Sequence, residues 1–263
     1  MLLAVDIGNT NIKLGLFQGS SLAGKARLTT DPQRTADEYL IALDAILARH
    51  RLVWSDLSGV IIGSVVPVLT ETFDELLATH STAPVVWVGP RLDVGVRLDV
   101  DNPNEVGTDR IANALAAQTW FGVPAIVVDF GTATTFDAVD QSGAYIGGAI
   151  SPGLDVWVDA LVARTAQLRR ITITHPDSVI GGSTVAAMQA GAFYGYVGLV
   201  DGITRRMVTE LGPDTTVIAT GGLARLITPE TPIVQAIDAD LTLKGLRLIW
   251  ERNEPASGEE AAL

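Results

Sequence analysis

The sequence predicts an α/β protein of two similar lobes, each opening with a three-strand meander. Three observations carry that expectation. The phrase "VDIGNTNIKLGLF" at residues 5–17 returns as "VDFGTATTFDAVD" at residues 128–140, with Asp, Gly and a small polar cluster in matching places. After each copy the chain repeats one order of elements: strands joined by tight turns, then helices alternating with apolar, β-branched strands. With 48% hydrophobic and only 18% charged residues over 263 positions, the chain can also fill one large core or two of ordinary size. Two like lobes with a ligand cleft between them is the expected architecture.

In the first half, strands are expected at 2–7, 12–18 and 23–29, joined by Gly/Asn/Ser turns. "TADEYLIALDAILARH" (35–50) reads as a helix with Tyr39, Leu40, Leu43, Ile46 and Leu47 on one face. "GVIIGSVV" (59–66) suits a strand buried on both faces. A helix over 68–80 and a strand over 83–89 follow. "DNPNEVGTDRIANALAAQTW" (101–120) reads as a helix with Pro near its start. The second half repeats three strands at 125–130, 133–139 and 144–150, then helical stretches at 153–167 and 181–210. A strand at 215–219, a "GGLARL" turn into a helix and a helix near 242–251 complete the pattern. No linker rich in Ser, Pro or charge separates the halves. The expected domains are 1–104 and 105–253, with 254–263 as a flexible acidic tail.

Composition excludes several classes. Cys is absent, so there is neither a disulfide nor a thiolate metal site. The net charge is −12 without a basic cluster, so nucleic acid is not an expected partner. The start has no basic segment ahead of its apolar run, so no secretory signal is expected and a cytoplasmic location fits. The uncharged stretch 185–200 is shorter than the roughly 20 residues a bilayer crossing needs. It reads as a helix for the core or for a two-fold interface, with Gly191, Gly195 and Gly198 inviting close packing. His50, His80 and His175 are too dispersed for a metal triad and read as surface or loop residues. The five Trp residues read as core or interface rather than ligand stackers.

The repeated phrase has its own chemistry. A hairpin tip of Gly and small polar residues presents several backbone N–H groups and hydroxyls together, a nest able to hold phosphate. Gly8 and Gly131 leave the main chain open to phosphate oxygens. Asp6 and Asp129, just before the tips, suit a cation or its water shell rather than the phosphate itself. In the first copy Asn9, Thr10, Asn11 and Lys13 add donors and one positive charge. In the second copy Thr132, Thr134 and Thr135 add hydroxyls and no charge. Near the middle, "EVGTDR" sets Asp109 and Arg110 after Gly107. A carboxylate there can take a hydroxyl proton, and the guanidinium can grip a carboxylate. The same residues also read as a surface pair at a helix start, since "NPNE" is good capping chemistry. Thr184 in "GGSTVAAMQ" reads either as an anion site at a helix N-terminus or as a plain cap. There is no G-x-x-x-x-G-K-[ST] and no strand-associated G-x-G-x-x-G.

The twin Asp-x-Gly phrases resemble the actin/hexokinase superfamily of ATP-using proteins, with ribonuclease H-like lobes. Within it, "DIGNTNIK", "NPNEVGTDRIANALAA", "VVDFGTATTFDAV", "GGAISPGL", "IGGSTVAAMQAG" and "VIATGGLARLI" look like the type III pantothenate kinases, in order from residue 1 to about 253. The resemblance implies two actin-like lobes and ATP-dependent phosphorylation of the pantothenate 4′-hydroxyl, the first step toward coenzyme A. It implies that Asp6 through Lys13 (Asp6, Gly8, Asn9, Thr10, Asn11, Lys13) and Thr132 contact ATP, with Asp6 near Mg²⁺. It makes Asp109 the general base, Gly107, Thr108, Asp109 and Arg110 the pantothenate-binding segment, and Thr184 a further pantothenate contact. Asp129 becomes the seat of an activating K⁺ or NH₄⁺. A homodimer whose partner completes each active site is implied as well. Two departures stand out. The family's usual Tyr before "DNP" is Val100 here, so Tyr145 or a partner residue is the candidate to fill the gap. Arg169 stands where Pro usually follows Leu168. Two other readings are an accessory regulator of transcription without catalysis, and a sugar or acetate kinase.

Overall fold

The computed structural model describes residues 1–89 and 92–254 and divides into two compact units. The first takes Met1–Val96, Asp101–Ala116 and the chain from Thr242; the second takes Arg97–Val100 and Ala117–Leu241. The units are interleaved in sequence, unlike the simple split expected between 104 and 105. The tail expected over 254–263 lies outside the described residues from 255 onward.

In the first unit β1 (Leu2–Ile7), β2 (Asn11–Gln18) and β3 (Ser21–Thr29) form the expected antiparallel meander. β4 (Gly59–Ser64) lies parallel to β1, and β5 (Val85–Trp87) parallel to β4, giving the order β3-β2-β1-β4-β5. β1 is buried throughout and β4 nearly so, as continuous apolar runs require of central parallel strands. Helix α1 (Ala36–Arg49) starts at a Thr35–Glu38 capping box and buries Tyr39, Leu43 and Leu47. Helix α2 (Pro67–His80) has Pro at its first turn, and its Phe73 ring packs 5.1 Å from that of Tyr39. These residues join Leu3, Val5, Ile7 and Ile62 in one core. Helix α3 (Thr108–Phe121) is tied to the last helix of the chain by the Thr242 hydroxyl, which donates to Asn113 Oδ1 at 2.9 Å in a buried setting.

The helix expected from 101 starts only at Thr108. Asn102 is extended, as a residue before proline prefers, a short 3-10 turn spans Pro103–Glu105, and Val106 is extended again. The helix start therefore falls on the Gly107–Asp109 segment.

The second unit repeats the plan. β6 (Ala125–Phe130), β7 (Ala133–Val139) and β8 (Tyr145–Pro152) form a meander, and β9 (Thr216–Gly221) runs parallel to β6. A two-residue β10 (Ala236–Ile237), too short to be read from the sequence, completes the order β10-β9-β6-β7-β8. Read from the meander outward, both sheets have one strand order, so the duplication extends to topology. Helix α4 (Leu154–Ala163) ends short of the expected 167. Helix α5 (Thr184–Leu211) begins three residues later than expected, because the Ser183 side chain caps it by accepting from Ala186 N at 3.2 Å. α5 buries Ala190, Phe193, Tyr196 and Val200 against the strands of its own unit. The short α6 (Ala224–Ile227) and the long α7 (Leu241–Asn253) follow. Among the described residues no helix is long and apolar enough to cross a membrane.

Candidate active site

The first hairpin is charged and braced. Asp6 and Lys13 face each other across β1 and β2, with Lys13 Nζ 3.3 Å from Asp6 Oδ2. The Asp6 side chain is only 7% exposed and that of Lys13 33%, so the pair is partly shielded from water. The ladder closes at Ile7 and Ile12, leaving Gly8–Asn11 as the tip, with Gly8 N donating to Asn11 O at 3.1 Å. Thr30 braces this tip twice: its N–H donates to Thr10 O at 3.0 Å and its hydroxyl to Gly8 O at 2.6 Å. Asn9 and Thr10 are exposed at the end of a pinned loop.

The start of α3 reaches the same edge of the sheet. Gly63 pairs with Asp6 in the parallel register, and a Cβ on Gly63 would stand 2.9 Å from Thr108 Oγ1. That hydroxyl is buried without a hydrogen-bond partner among the described residues. Val65 N donates to Ile7 O at 3.0 Å. A Cβ on Gly107 would lie 2.5 Å from Asp109 Oδ1 and 3.4 Å from the Val65 side chain. Only glycine there lets the Asp109 carboxylate fold back over the helix start, where Oδ1 accepts from Arg110 N at 2.9 Å. An acidic side chain in the first turn also suits the positive end of the helix dipole. The carboxyl ends of β1 and β4 and the N-terminus of α3 thus converge, the edge where α/β sheets hold ligands.

The second hairpin is built on the same plan with different atoms. Its ladder closes at Phe130 and Thr134, so its tip is Gly131–Ala133, one residue shorter, with Gly131 N donating to Ala133 O at 3.1 Å. Gly153 stands where Thr30 stands in the first unit, and its N–H donates to Thr132 O at 2.9 Å. A Cβ at Gly153 would collide with the backbone oxygens of Gly131 and Thr132. The shorter tip changes what faces the aspartate. Asp129 lies opposite Thr135, so the counterpart of Lys13 is Thr135 and not Phe136. Thr135 Oγ1 donates to Asp137 Oδ2 at 2.8 Å, and Tyr145 OH donates to Asp137 Oδ1 at 3.2 Å. The Thr134 and Tyr196 hydroxyls are hydrogen-bonded in the core; burial, foremost, raises the Tyr196 pKa above the ordinary phenol value and keeps it protonated.

These donors fit particular cations. Gly221 has φ +90°, and a Cβ there would stand 2.5 Å from Asp129 Oδ1. A Cβ there would also meet Phe130 N and O at 2.6 Å, so glycine keeps the Asp129 carboxylate oxygen uncovered on that side. That suits a hard alkali or ammonium-type ion rather than a transition metal. Among the described residues no group of three or more His, Cys, Asp or Glu could hold a metal. On the first hairpin the Asp6 carboxylate fits Mg²⁺ bound chiefly through phosphate oxygens and water.

Residues 2–206 match the family model for type III pantothenate kinase. A type III pantothenate kinase from Brevibacillus brevis is 49% identical over 254 residues, covering 97% of this chain and 100% of its own. One from Moorella thermoacetica is 47% identical over 253 residues, covering 96% and 100%. The chain belongs to the type III pantothenate kinase family. Component A of (R)-2-hydroxyglutaryl-CoA dehydratase from Acidaminococcus fermentans shares the fold, with a TM-score of 0.57 at 13% identity over 96% of this chain and 99% of that one. This chain's two sheets of one strand order with flanking helices are thus a fold also found in that protein.

Seen as a type III pantothenate kinase, the remaining expectations separate. Thr184 is the exposed first residue of α5, but the cap is Ser183, so the plain-cap reading of Thr184 does not hold. Val100 belongs to the second unit, beside Gly147, whose Cβ would meet its Cγ1 at 3.8 Å. Tyr145 does not fill the gap left at Val100. It is 1% exposed, spent on Asp137 and pinned by Arg97 O and Asp99 N at 2.8 Å each. His175 pairs with Glu230 at 2.9 Å, while His50 packs against Gly24 with its Nε2 buried. Trp250 is core; Trp120 and Trp157 are 43% and 40% exposed. Sequence reading named Thr135 only as a hydroxyl of the second hairpin, without setting it opposite Asp129, and missed Gly153 and Gly221. Their signals were a loop-length difference hidden among small residues, the Gly of "SPGL" and the first Gly of "TGGL".

Proposed function

We propose that this protein transfers the γ-phosphoryl group of ATP to the 4′-hydroxyl of pantothenate, giving 4′-phosphopantothenate and ADP at the entry to coenzyme A biosynthesis. The reading is carried by one arrangement: the Asp6–Lys13 pair and the Gly107–Arg110 segment share one sheet edge in a member of this family. The Asp6–Lys13 hairpin grips the ATP phosphates with backbone N–H groups and the Lys13 ammonium, and Thr132 adds a second ATP contact. Asp6 would hold Mg²⁺, which supplies charge neutralisation on the phosphates. Gly107–Arg110 and Thr184 bind pantothenate, with Arg110 pairing its carboxylate. Asp109 orients the hydroxyl and takes its proton as oxygen attacks the γ-phosphorus in line. The bond to the bridging oxygen breaks and ADP leaves with those electrons. Asp129 would hold K⁺ or NH₄⁺, which would supply positive charge beside the nucleotide phosphates.

The decisive experiment is pantothenate-dependent ADP release with and without K⁺. Turnover that ignores pantothenate but follows a sugar or acetate would favour the other kinase reading, and no turnover would favour a regulator. Asp109→Asn should lower kcat by about 10²-fold or more, the scale of a lost general base; near-normal turnover removes Asp109 from that role. A cytoplasmic homodimer goes with this reading. In its support, Gly191 and Gly198 on α5 face open space, and Val156, Trp157 and Leu161 of α4 are 41%, 40% and 45% exposed. Light scattering on the purified chain tests the dimer.

A further inference from the structure

The structure assigns Tyr39 a positioning role: its buried hydroxyl fixes the loop that braces the first hairpin, and so holds the Gly8–Asn11 tip in the form that takes the ATP phosphates. The inference rests on the reading of that hairpin as the phosphate grip. Tyr39 lies on α1, is fully buried and packs its ring 5.1 Å from that of Phe73. Phenylalanine would fill the same place in the core, so packing does not account for the hydroxyl. Burying a hydroxyl costs free energy unless it is hydrogen-bonded. Here both bonds go to one residue ahead of the helix. Tyr39 OH donates to Asp31 O at 3.0 Å, and Asp31 N donates to Tyr39 OH at 3.0 Å.

Asp31 matters for the residue before it. Its N–H shares one rigid peptide plane with the carbonyl and Cα of Thr30. Holding that N–H fixes the course of Thr30 as the chain leaves β3 at Thr29. Thr30 then pins the tip, through its N–H on Thr10 O and its hydroxyl on Gly8 O. In a trans peptide the C=O and the following N–H point opposite ways. A bond on Gly8 O therefore turns the Asn9 N–H away from Thr30, where a phosphate can meet it. The second unit has a similar device. Gly153 N pins Thr132 O, and the buried Tyr196 hydroxyl of α5 meets the backbone of the next residue, Leu154, and the Thr134 hydroxyl on β7. In each unit a buried tyrosine holds the residue that follows the brace. Tyr39 comes from the first helix after its meander and Tyr196 from the second, so the shared partner is not a by-product of the repeated phrase.

The test compares Tyr39→Phe with Phe73→Leu, which loosens the same ring contact and keeps the hydroxyl. Both should lower the melting temperature. Only Tyr39→Phe should raise KM for ATP, by roughly three- to tenfold, the scale on which one hydrogen bond counts, while kcat and KM for pantothenate stay within about twofold. Amide exchange at Thr30 and Gly8 should quicken in Tyr39→Phe, with the β1 amides unmoved. Thr30→Ala combined with Tyr39→Phe should raise KM for ATP by less than the product of the two single changes, because the tyrosine acts through the brace. If KM for ATP rises alike in Tyr39→Phe and Phe73→Leu, Tyr39 is a core residue and no more. A full product in the double variant detaches it from the brace. If Lys13→Met lowers kcat/KM for ATP and Tyr39→Phe does not, the positioning role falls and the phosphate grip stands. If neither variant changes it, the grip falls as well.

Discussion

The hairpins at Asp6 and Asp129 share a strand order and a brace, yet they differ by one residue of tip and by everything that residue moves. Both tips are closed by a glycine N–H, Gly8 to Asn11 O and Gly131 to Ala133 O. Both are pinned from the residue just after the meander or at its end, Thr30 in one and Gly153 in the other. In the first, the longer tip sets Lys13 against Asp6 at 3.3 Å. In the second, the shorter tip sets Thr135 against Asp129. Duplication kept the backbone and reassigned the charge: an ammonium faces the aspartate in one hairpin and a hydroxyl in the other.

The largest effect should come from removing the tethered charge. Lys13→Met should lower kcat/KM for ATP by about 10²-fold, the scale of losing one donor to developing phosphate charge, and added K⁺ should not restore it. A loss below about fivefold would mean that the first hairpin's charge does not act on phosphate. Next come the braces. Gly153→Ala drives a Cβ into two backbone oxygens that cannot yield cheaply. It should cost about 1–3 kcal/mol, seen as a lower melting temperature, with a raised KM for ATP through Thr132. Thr30→Ala removes one hydroxyl bond and should cost about 1 kcal/mol. Equal losses from the two substitutions would show that the braces are equivalent after all.

A graft sharpens the comparison further. Thr135→Lys puts into the second hairpin the ammonium that the first owns. Activity should then no longer need K⁺, at a turnover a few-fold, roughly threefold, below the K⁺-saturated wild type, since the tethered ion replaces a charge but not its coordination. Continued K⁺ dependence of this variant would break the equivalence of positions 13 and 135.

Much of this was legible in the chain, for identifiable reasons. Period and punctuation placed the central strands and α1, because burial on one or both faces writes itself into side-chain type. Asp6, Lys13 and Asp109 stood out because their neighbours are glycines and small polar residues with little other use. Four features did not show. β10 has two residues and therefore no period. The start of α3 was misplaced because Pro103 and Glu105 are good first-turn residues, while Asn102 and Val106 are extended in the structure. The place of Thr135 opposite Asp129 was hidden because laying the two phrases over each other pairs Lys13 with Phe136. Only the strand register reveals the missing tip residue. Gly153 and Gly221 are needed for what packs against them, and a tertiary approach leaves no mark in local pattern.

The smallest expected effect lies in the far turns of the same two meanders. The first unit turns from β2 to β3 through Gly19 at φ +56°. The second turns from β7 to β8 around Asp140, whose carboxylate accepts from Ser142 Oγ at 2.7 Å, Ser142 N at 2.8 Å and Ala144 N at 2.9 Å. The Ser142 hydroxyl, then the backbone N–H groups and Arg97, hold the Asp140 carboxyl below its ordinary range, against a partial desolvation. A carboxylate whose folded pKa is depressed stabilises the fold above its unfolded value of about 3.9, and the contribution is lost as pH falls through the folded pKa. Asp140→Asn should therefore melt slightly below wild type at neutral pH, and the gap should close as the buffer is taken below about pH 4. A gap that stayed constant with pH would assign the turn's stability to the shape of the side chain rather than its charge. The two meanders would then differ in charge only at the ends where they meet their ligands.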